Sequence, residues 1–374
     1  MKNKFCQAIA FVSLASLLLT SCAVTGTPLP PPSPLKPTRG PSPLSPVATP
    51  RASAPRTLTV MTHDSFAASE DVLKAFEQTH TVKLSILKSG DAGAALNKAI
   101  LAKGNPLADV FYGVDNTFLS RALEADIFEP YATQGATAQF ALDKSNRVTP
   151  VDYGDVCVNY DKAFFANKKL AVPQTLEDLV KSDYKGMLVV ENPATSSPGL
   201  AFMLATVAHL GPDKYLGYWK QLKANDVKVE DGWETAYYTD FSGSSGKGAR
   251  PLVVSYASSP PAEVVFAKTP LAEAPTGSVV GDGACFRQIE FVGVLKGAKN
   301  PDLARNFVDF MLSVPFQEDM PLQMFVFPVN PQAQLPEAFV KHAQIPSNPA
   351  TLAPDDIAKN REMWIQQWTE TVLR

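Results

Sequence analysis

The stretch "TLTVMTHDSFAASEDVLKAFEQTHTVKLSILKSGDAGAALNKAILAKGNPLADVFYG", Thr57 to Gly113, decides the fold class. It contains three apolar runs rich in strand-forming residues, at 57–62, 82–87 and 108–113. Between the first two, Ser69 offers an N-cap to a helix that runs through Phe76. Between the last two, "AGAALNKAILAKG" is typical of a helix that ends at Gly104. The order β-α-β-α-β predicts a parallel sheet with helices on both faces.

A second series of strands and helices follows further along the chain. Its predicted strands lie at 156–161, 187–192, 250–257 and 286–295. Its predicted helices are "LEDLVKS" after a Thr175–Asp178 capping box, a helix opened by Pro198, a helix over 301–312 and a long amphipathic helix that ends the chain. Two α/β units in one chain predict two lobes with a cleft between them.

The first 22 residues are typical of an export signal. Lys2 and Lys4 precede an apolar run from Phe5 to Leu19, which is too short to span a bilayer comfortably. The run ends in "LTSC", which resembles a bacterial lipobox, so we expect residues 1–22 to be a lipoprotein signal and Cys22 to be lipidated. The alternative is an ordinary cleaved signal with a chance cysteine.

Residues 23–56 predict an extended tether. They hold 11 of the 32 prolines and no Asp or Glu, a composition that cannot form a packed core. At about 3.1 Å per residue, such a segment reaches roughly 100 Å. The predicted tether would hold a folded domain away from the membrane surface, on the extracytoplasmic side.

The charge and the cysteines of the remaining chain exclude several classes of protein. Six of the 34 basic residues precede Thr57, which leaves 28 Lys and Arg against 37 Asp and Glu, a balance of −9. That balance argues against a nucleic-acid partner. Only Cys157 and Cys285 lie in this part, without a C-x-x-C motif, so either a single disulfide or two free thiols are expected.

Polar and aromatic residues follow the predicted strands, where ligands bind in open α/β sheets. The candidates are Asp64 and Ser65 in "HDSF", Asp115 after the third strand, Ser196 and Ser197 in "ATSSPG", and Tyr256. Asp64 and Asp115 could equally cap the helices that follow them, and Ser197 could be a plain N-cap.

The stretch "GWETAYYTDF", Gly232 to Phe241, leaves three interpretations open. Its aromatic side chains could line a pocket for a flat organic ligand, could belong to the core, or could bind a hard metal ion through Tyr237 and Tyr238. The metal alternative predicts a ferric-ion-binding protein, with Glu234 or Asp240 as further ligands. No sequence motif nominates an enzyme, since the chain has no G-x-S-x-G, no H-E-x-x-H and no complete phosphate loop.

Seven segments, taken in order, resemble the thiamine-binding proteins of ABC importers, which belong to the type II periplasmic-binding-protein superfamily. The segments are "LTVMTHDSFA", "ADVFYGVDN", "VDYGDVCVNYDK", "TSSPGLAFML", "GWETAYYTDF", "VVSYASSPPAE" and "FMLSVPFQEDMP". The resemblance implies an α/β fold of two lobes, each a mainly parallel sheet flanked by helices, joined by crossover strands. It also implies a monomeric binding protein, not an enzyme, that has no cofactor and carries thiamine or its phosphates to an importer permease.

The same resemblance assigns the lobes and places the cysteines. It implies a first lobe over 57–153, a second over 154–285, and a return to the first lobe over 286–374 with the C-terminal helix. The family's crossover strands run side by side, near 152–158 and 283–289. Cys157 and Cys285 would then face each other, which favours a disulfide.

The resemblance carries ligand contacts onto Trp233 and Tyr256, and Tyr237 is added as a neighbour. Their aromatic faces suit the cationic thiazolium ring, for which Asp64, Asp115 or Glu290 would supply a carboxylate. The helix start at Ser196 and Ser197 would suit a phosphate. Departures from the family pattern are His63 in place of Tyr, Ser69 and Glu70 where a Trp is usual, and Phe325 in place of another Trp. At that last position Phe325 is still expected to contact the ligand.

Overall fold

A computed structural model describes residues 55–135, 137–244 and 248–374. The predicted signal, Cys22 and all of the predicted tether except Pro55 and Arg56 lie outside the described residues. Arg56 already belongs to the first strand, because its main chain pairs with Val82 and its guanidinium binds the Asp302 carboxylate at 2.8 Å. The folded part therefore begins one residue earlier than predicted.

The described residues form eleven strands and twelve α-helices. The strands are β1 (Arg56–Thr62), β2 (Val82–Lys88), β3 (Val110–Asp115), β4 (Phe128–Glu129), β5 (Thr149–Asp161), β6 (Leu188–Glu191), β7 (Lys228–Glu230), β8 (Leu252–Tyr256), β9 (Thr276–Val279), β10 (Phe286–Leu295) and β11 (Phe327–Pro328). The helices are α1 (Glu70–His80), α2 (Ala92–Leu101), α3 (Leu119–Glu124), α4 (Lys162–Lys168), α5 (Ser197–Leu210), α6 (Tyr215–Ala224), α7 (Trp233–Thr235), α8 (Pro260–Val265), α9 (Pro301–Met311), α10 (Val314–Gln323), α11 (Glu337–His342) and α12 (Pro354–Val372). None of these helices is long and apolar enough to cross a membrane.

One continuous mixed sheet runs through both lobes, and each lobe contains a parallel part of it. In lobe 1, β1 lies between β2 and β3 and runs parallel to both. In lobe 2, β6 lies between β7 and β8 and runs parallel to both. Parallel strands need helical crossovers, which cover the faces of the sheet, and β3, β6 and β8 are accordingly mostly apolar and buried. The edge strands β2 and β7 are less buried and carry Lys side chains.

The strands β5 and β10 join the lobes as an antiparallel pair. β10 also pairs with β3 of lobe 1, and β5 also pairs with β8 of lobe 2. Cys157 of β5 and Cys285, which precedes β10, form a disulfide with their Cα atoms 4.4 Å apart. The mainly parallel lobes and their paired crossover strands confirm the predicted fold.

The C-terminal helix α12 packs against helices of both lobes. Trp368 meets Trp219 of α6 edge to face, with ring centroids 5.3 Å apart. The buried Arg361 donates to the Thr117 carbonyl oxygen at 3.2 Å and to Ser120 Oγ at 2.9 Å, next to α3. A buried guanidinium needs such partners, so the helix is held in register at both contacts.

Two predicted elements differ from the structure. The helix predicted over 176–182 is a pair of 3₁₀ turns, Glu177–Val180 and Ser182–Tyr184, although the capping pair forms, with Asp178 N donating to Thr175 Oγ1 at 3.3 Å. So short a segment is a marginal α-helix. The strand predicted from 156 begins at Thr149, because pairing with β10 extends it through a Pro and a Gly that disfavour strands in isolation.

Candidate ligand-binding cleft

A cavity of about 590 Å³, part of it open to solvent, lies where the carboxyl ends of β1 and β8 meet the start of α5. It is lined by His63, Ser65, Asp91, Ser197, Pro198, Trp233, Tyr237, Tyr238, Tyr256, Ser259, Ala262, Glu290, Met324, Phe325 and Val326. Both lobes and β10 contribute, so opening the lobes would take the cavity apart.

An aromatic wall forms one side of the cavity. The short helix α7 continues into one π-helical turn over Ala236–Asp240, which explains why this segment has neither helical nor strand periodicity in the sequence. The turn stacks Trp233 on Tyr237, with centroids 4.9 Å apart and planes 20° apart. Trp233 Nε1 donates to Ser255 Oγ at 2.9 Å, so the indole is held at its polar edge.

Tyr256 forms a second aromatic surface at the end of β8. Its hydroxyl donates to Gln288 Oε1 at 2.9 Å, and burial raises the pKa of the phenol well above its usual value. The ring lies against Gly154, where an added Cβ would come within 2.7 Å of the ring. A glycine at 154 therefore leaves the space that this tyrosine fills.

Opposite the aromatic wall, Glu290 presents a carboxylate. The antiparallel register of β5 and β10 places Asp152 beside Glu290, and Tyr112 OH lies 2.7 Å from Asp152 Oδ2 and 2.8 Å from Glu290 Oε2. Burial and the neighbouring Glu290 raise the pKa of Asp152 well above its usual value. Burial opposes ionisation of Glu290 too, but His63 and the hydrogen bonds from Tyr112 and Asp152 together outweigh it and hold the pKa of Glu290 below its usual value. The negative charge of the pair is therefore favoured on Glu290.

Asp91 is a cavity-lining acid that sequence reasoning missed. It N-caps α2 by accepting from Ala92 N at 2.6 Å, and it accepts from the Trp233 main-chain N of the other lobe at 2.9 Å. Burial raises its pKa, although these hydrogen bonds oppose the shift. Its position just beyond β2 is the signal that would have found it, because the strand-end rule applies there as well.

Seven of the ten predicted ligand contacts line the cavity: Ser65, Ser197, Trp233, Tyr237, Tyr256, Glu290 and Phe325. Phe325 adopts a left-handed backbone conformation with φ of 56° and meets Phe266 edge to face at 5.6 Å. Its ring closes the side of the cavity formed by residues 324–326.

The other three predicted contacts are engaged elsewhere. Asp64 Oδ1 accepts from Gly90 N at 2.8 Å and borders a neighbouring groove. Asp115 Oδ1 accepts from Thr117 N at 2.8 Å and thereby caps the turn before α3. Ser196 is a fully buried N-cap of α5. The capping interpretation thus describes Asp115. Asp64 does not cap the helix that follows it, and the N-cap of α5 is Ser196 rather than Ser197.

Asp115 nevertheless stabilises the cavity wall indirectly, through hydrogen bonds to a residue that holds the lining side chains. Its Oδ2 accepts from Gln288 Nε2, which also donates to Ser197 Oγ at 2.7 Å. Gln288 in turn accepts from the Tyr256 hydroxyl, so these bonds orient the aromatic ring. Burial raises the pKa of Asp115 to about 6.

The paired tyrosines do not converge on a metal site. Tyr237 OH donates to Glu263 Oε1 at 3.1 Å, whereas Tyr238 is 40% exposed and its ring is perpendicular to that of Tyr237. Asp240, one of the further ligands expected for iron, accepts from Lys228 Nζ at 2.6 Å. Over the described residues, no group of three or more His, Cys, Asp or Glu side chains could hold a metal ion.

Comparisons with known proteins agree with this geometry. A model of the family described as bacterial extracellular solute-binding protein matches residues 105–360. The thiamine-binding periplasmic protein of Salmonella typhimurium is 32% identical over 328 residues, which cover 86% of this chain and 95% of that protein. A solved periplasmic thiamin binding protein superposes with a TM-score of 0.76 at 29% identity, covering 88% of this chain and 100% of the other. A ferric binding protein from Campylobacter jejuni superposes with a TM-score of 0.68, covering 84% of this chain and 99% of the other, but its 18% identity indicates a shared fold alone.

Proposed function

Because this chain belongs to the family of bacterial extracellular solute-binding proteins, we propose that it captures thiamine between its lobes and delivers it to an ABC importer. The family acts outside the cytoplasm, and its members bind solutes. In this proposal the protein is a monomer that converts nothing and has no cofactor, since thiamine is its cargo. The lipid anchor at Cys22 and the tether over residues 23–56 would keep it at the outer side of the membrane.

The pairing of aromatic faces with one ionised carboxylate carries the proposal. Thiamine contains a thiazolium ring whose positive charge is permanent. A cation over an aromatic face gains about 0.5–2 kcal/mol, and Trp233 and Tyr256 offer such faces in the cavity. A buried cation also needs an opposite charge, which Glu290 supplies. A neutral solute of the same size would bring no positive charge to that carboxylate.

Thiamine itself suits the cavity better than its phosphates. No Lys or Arg occurs among the described residues that line it. The amides at the start of α5 are already engaged, because Ser196 N donates to Asn192 O at 2.9 Å and Gly199 N donates to Ser196 Oγ at 3.5 Å. Pro198 has no amide hydrogen. A phosphate at this helix start would therefore find few free donors and would face Asp91 and Glu290.

Isothermal titration calorimetry of the purified protein with thiamine, its mono- and diphosphate, and its aminopyrimidine precursor tests the proposal. We expect thiamine to bind with a Kd below about 1 µM. The phosphates should bind more weakly because of the two carboxylates, and the precursor more weakly because it lacks the thiazolium charge. Absence of thiamine binding, or a visible phenolate band on addition of ferric ion, would contradict the proposal.

A further inference from the structure

His63 lies in the cavity wall where its ring cannot move far. Its Cδ2 packs on Gly113, which has φ of 106° and no room for a side chain, since an added Cβ would come within 2.5 Å of that atom. The ring also contacts Tyr112, with centroids 5.5 Å apart. The fold therefore holds the imidazole at the cavity in one orientation.

This ring shares its closest carboxylate with the proposed ligand. His63 Nε2 lies 3.5 Å from Glu290 Oε1, and within the described residues Nε2 has no hydrogen-bond partner. At this distance an imidazolium and a carboxylate form an ion pair, whereas a neutral imidazole leaves the carboxylate free for another cation. Glu290 cannot serve both positive charges fully.

Other titratable groups surround the ring from each element packed against it. They are Tyr112 on β3, Asp152 on β5, Glu290 on β10, Asp91 before α2, Asp64 on the same loop as His63, and Lys88 on β2, which donates to the Asp64 carbonyl oxygen at 2.7 Å. Burial lowers the pKa of His63, but Glu290, Asp91 and Asp64 outweigh burial, so the pKa is raised. Acidic neighbours thus dominate the field at the imidazole.

We propose that His63 makes thiamine capture dependent on pH by competing, when protonated, with the ligand for Glu290. This inference rests on the proposed function, because it needs a cationic ligand. Asp91 and Asp64 keep the surroundings acidic in either state, so protonation weakens capture without abolishing it.

The sign of the effect follows from linkage. A bound cation disfavours the imidazolium, so thiamine must lower the proton affinity of His63 and therefore its pKa. By reciprocity, protonation of His63 must lower the affinity for thiamine by the same factor. The affinity for thiamine is then highest at pH values above the His63 pKa of the ligand-free protein, and it falls as the pH drops through that pKa. Because the pKa is raised above its usual value of about 6.5, the fall begins above about pH 6.5. One linked proton limits the slope to about tenfold in Kd per pH unit.

Calorimetric titration with thiamine between about pH 6 and about pH 8 tests this proposal in three proteins: wild type, His63→Gln and His209→Gln. His209 is a matched control, since its Nε2 also lies close to a carboxylate, Glu177 Oε1 at 2.9 Å, outside the cavity. Kd should rise as the pH falls in wild type and in His209→Gln, and should rise less in His63→Gln, in which acids such as Asp115, with a pKa of about 6, still titrate. Titration of thiamine itself affects all three proteins equally.

A second measurement needs no His63 variant. Imidazole NMR signals of the wild-type protein give the His63 pKa with and without thiamine, after the other three histidines are assigned through single Gln variants. A lower pKa with thiamine supports the proposal. An equal pKa, or a pH dependence that is as steep in His63→Gln as in wild type, overturns it while thiamine binding itself stands. No binding at any pH would instead refute the proposed function, and this inference with it.

Discussion

Replacing Trp233 by Ala should weaken thiamine binding roughly 30-fold. A desolvated cation over an indole gains about 2 kcal/mol, and about 1.4 kcal/mol corresponds to a tenfold change in Kd. The substitution removes little else from the site. The hydrogen bond from the Trp233 main chain to Asp91 does not involve the side chain, and Ser255 Oγ retains Ser259 Oγ at 2.9 Å as a partner.

Trp233→Phe is the matched variant, because it keeps a smaller aromatic face at the same position. It should lose less than half of the binding free energy that Trp233→Ala loses. Calorimetry is the suitable assay, because loss of a tryptophan would change the fluorescence signal itself. Both variants change the stacking of residue 233 on Tyr237, and an aromatic pair of this kind stabilises a fold by about 0.5–1.5 kcal/mol. Thermal unfolding of each variant measures this loss of stability separately from the loss of binding. A folded Trp233→Ala protein with wild-type affinity would refute the aromatic wall as a source of binding energy, and equal losses in the two variants would refute the cation–π argument.

Two further predictions concern the covalent features. Reduction of the Cys157–Cys285 disulfide, which spans 128 residues of sequence, should lower the free energy of unfolding by about 2–5 kcal/mol. Thermal unfolding with and without reductant measures this, and two free thiols in the mass of the untreated protein would contradict it. Cys22→Ser should release the protein from the membrane fraction of the cells that make it, whereas wild-type protein already absent from that fraction would disprove the anchor.

The fold could be predicted from the sequence because strong local patterns and the topology agree. Apolar strands alternate with capped helices from Thr57 to Gly113, and such an order allows few arrangements. The strand-end rule placed Ser65 and Tyr256 at the cavity for the same reason, since parallel strands in one sheet all end on the same side. The Gly232–Phe241 segment shows neither helical nor strand periodicity. Only its aromatic content and its resemblance to the thiamine-binding family identified it as a candidate ligand site.

What could not be predicted depends on contacts between distant parts of the chain. The cluster of Tyr112, Asp152 and Glu290 exists because three strands align in one register, which no single segment encodes. Asp115 was an equal candidate for capping and for ligand contact, and only the positions of Thr117 and Gln288 decide between these roles. The strand-end rule could have found Asp91, but its second partner, the Trp233 amide, lies 142 residues away in the sequence and only the structure shows it.

The hydrogen bond between Asp91 and the Trp233 amide has a consequence for transport. The helix that carries the indole also carries the main-chain donor that fastens one lobe to the other. We therefore expect ligand binding and lobe closure to be coupled, so that the lobes are open in the ligand-free protein and closed in the ligand-bound protein. A permease could then distinguish ligand-bound from ligand-free molecules by the relative position of the two lobes, without contacting thiamine itself.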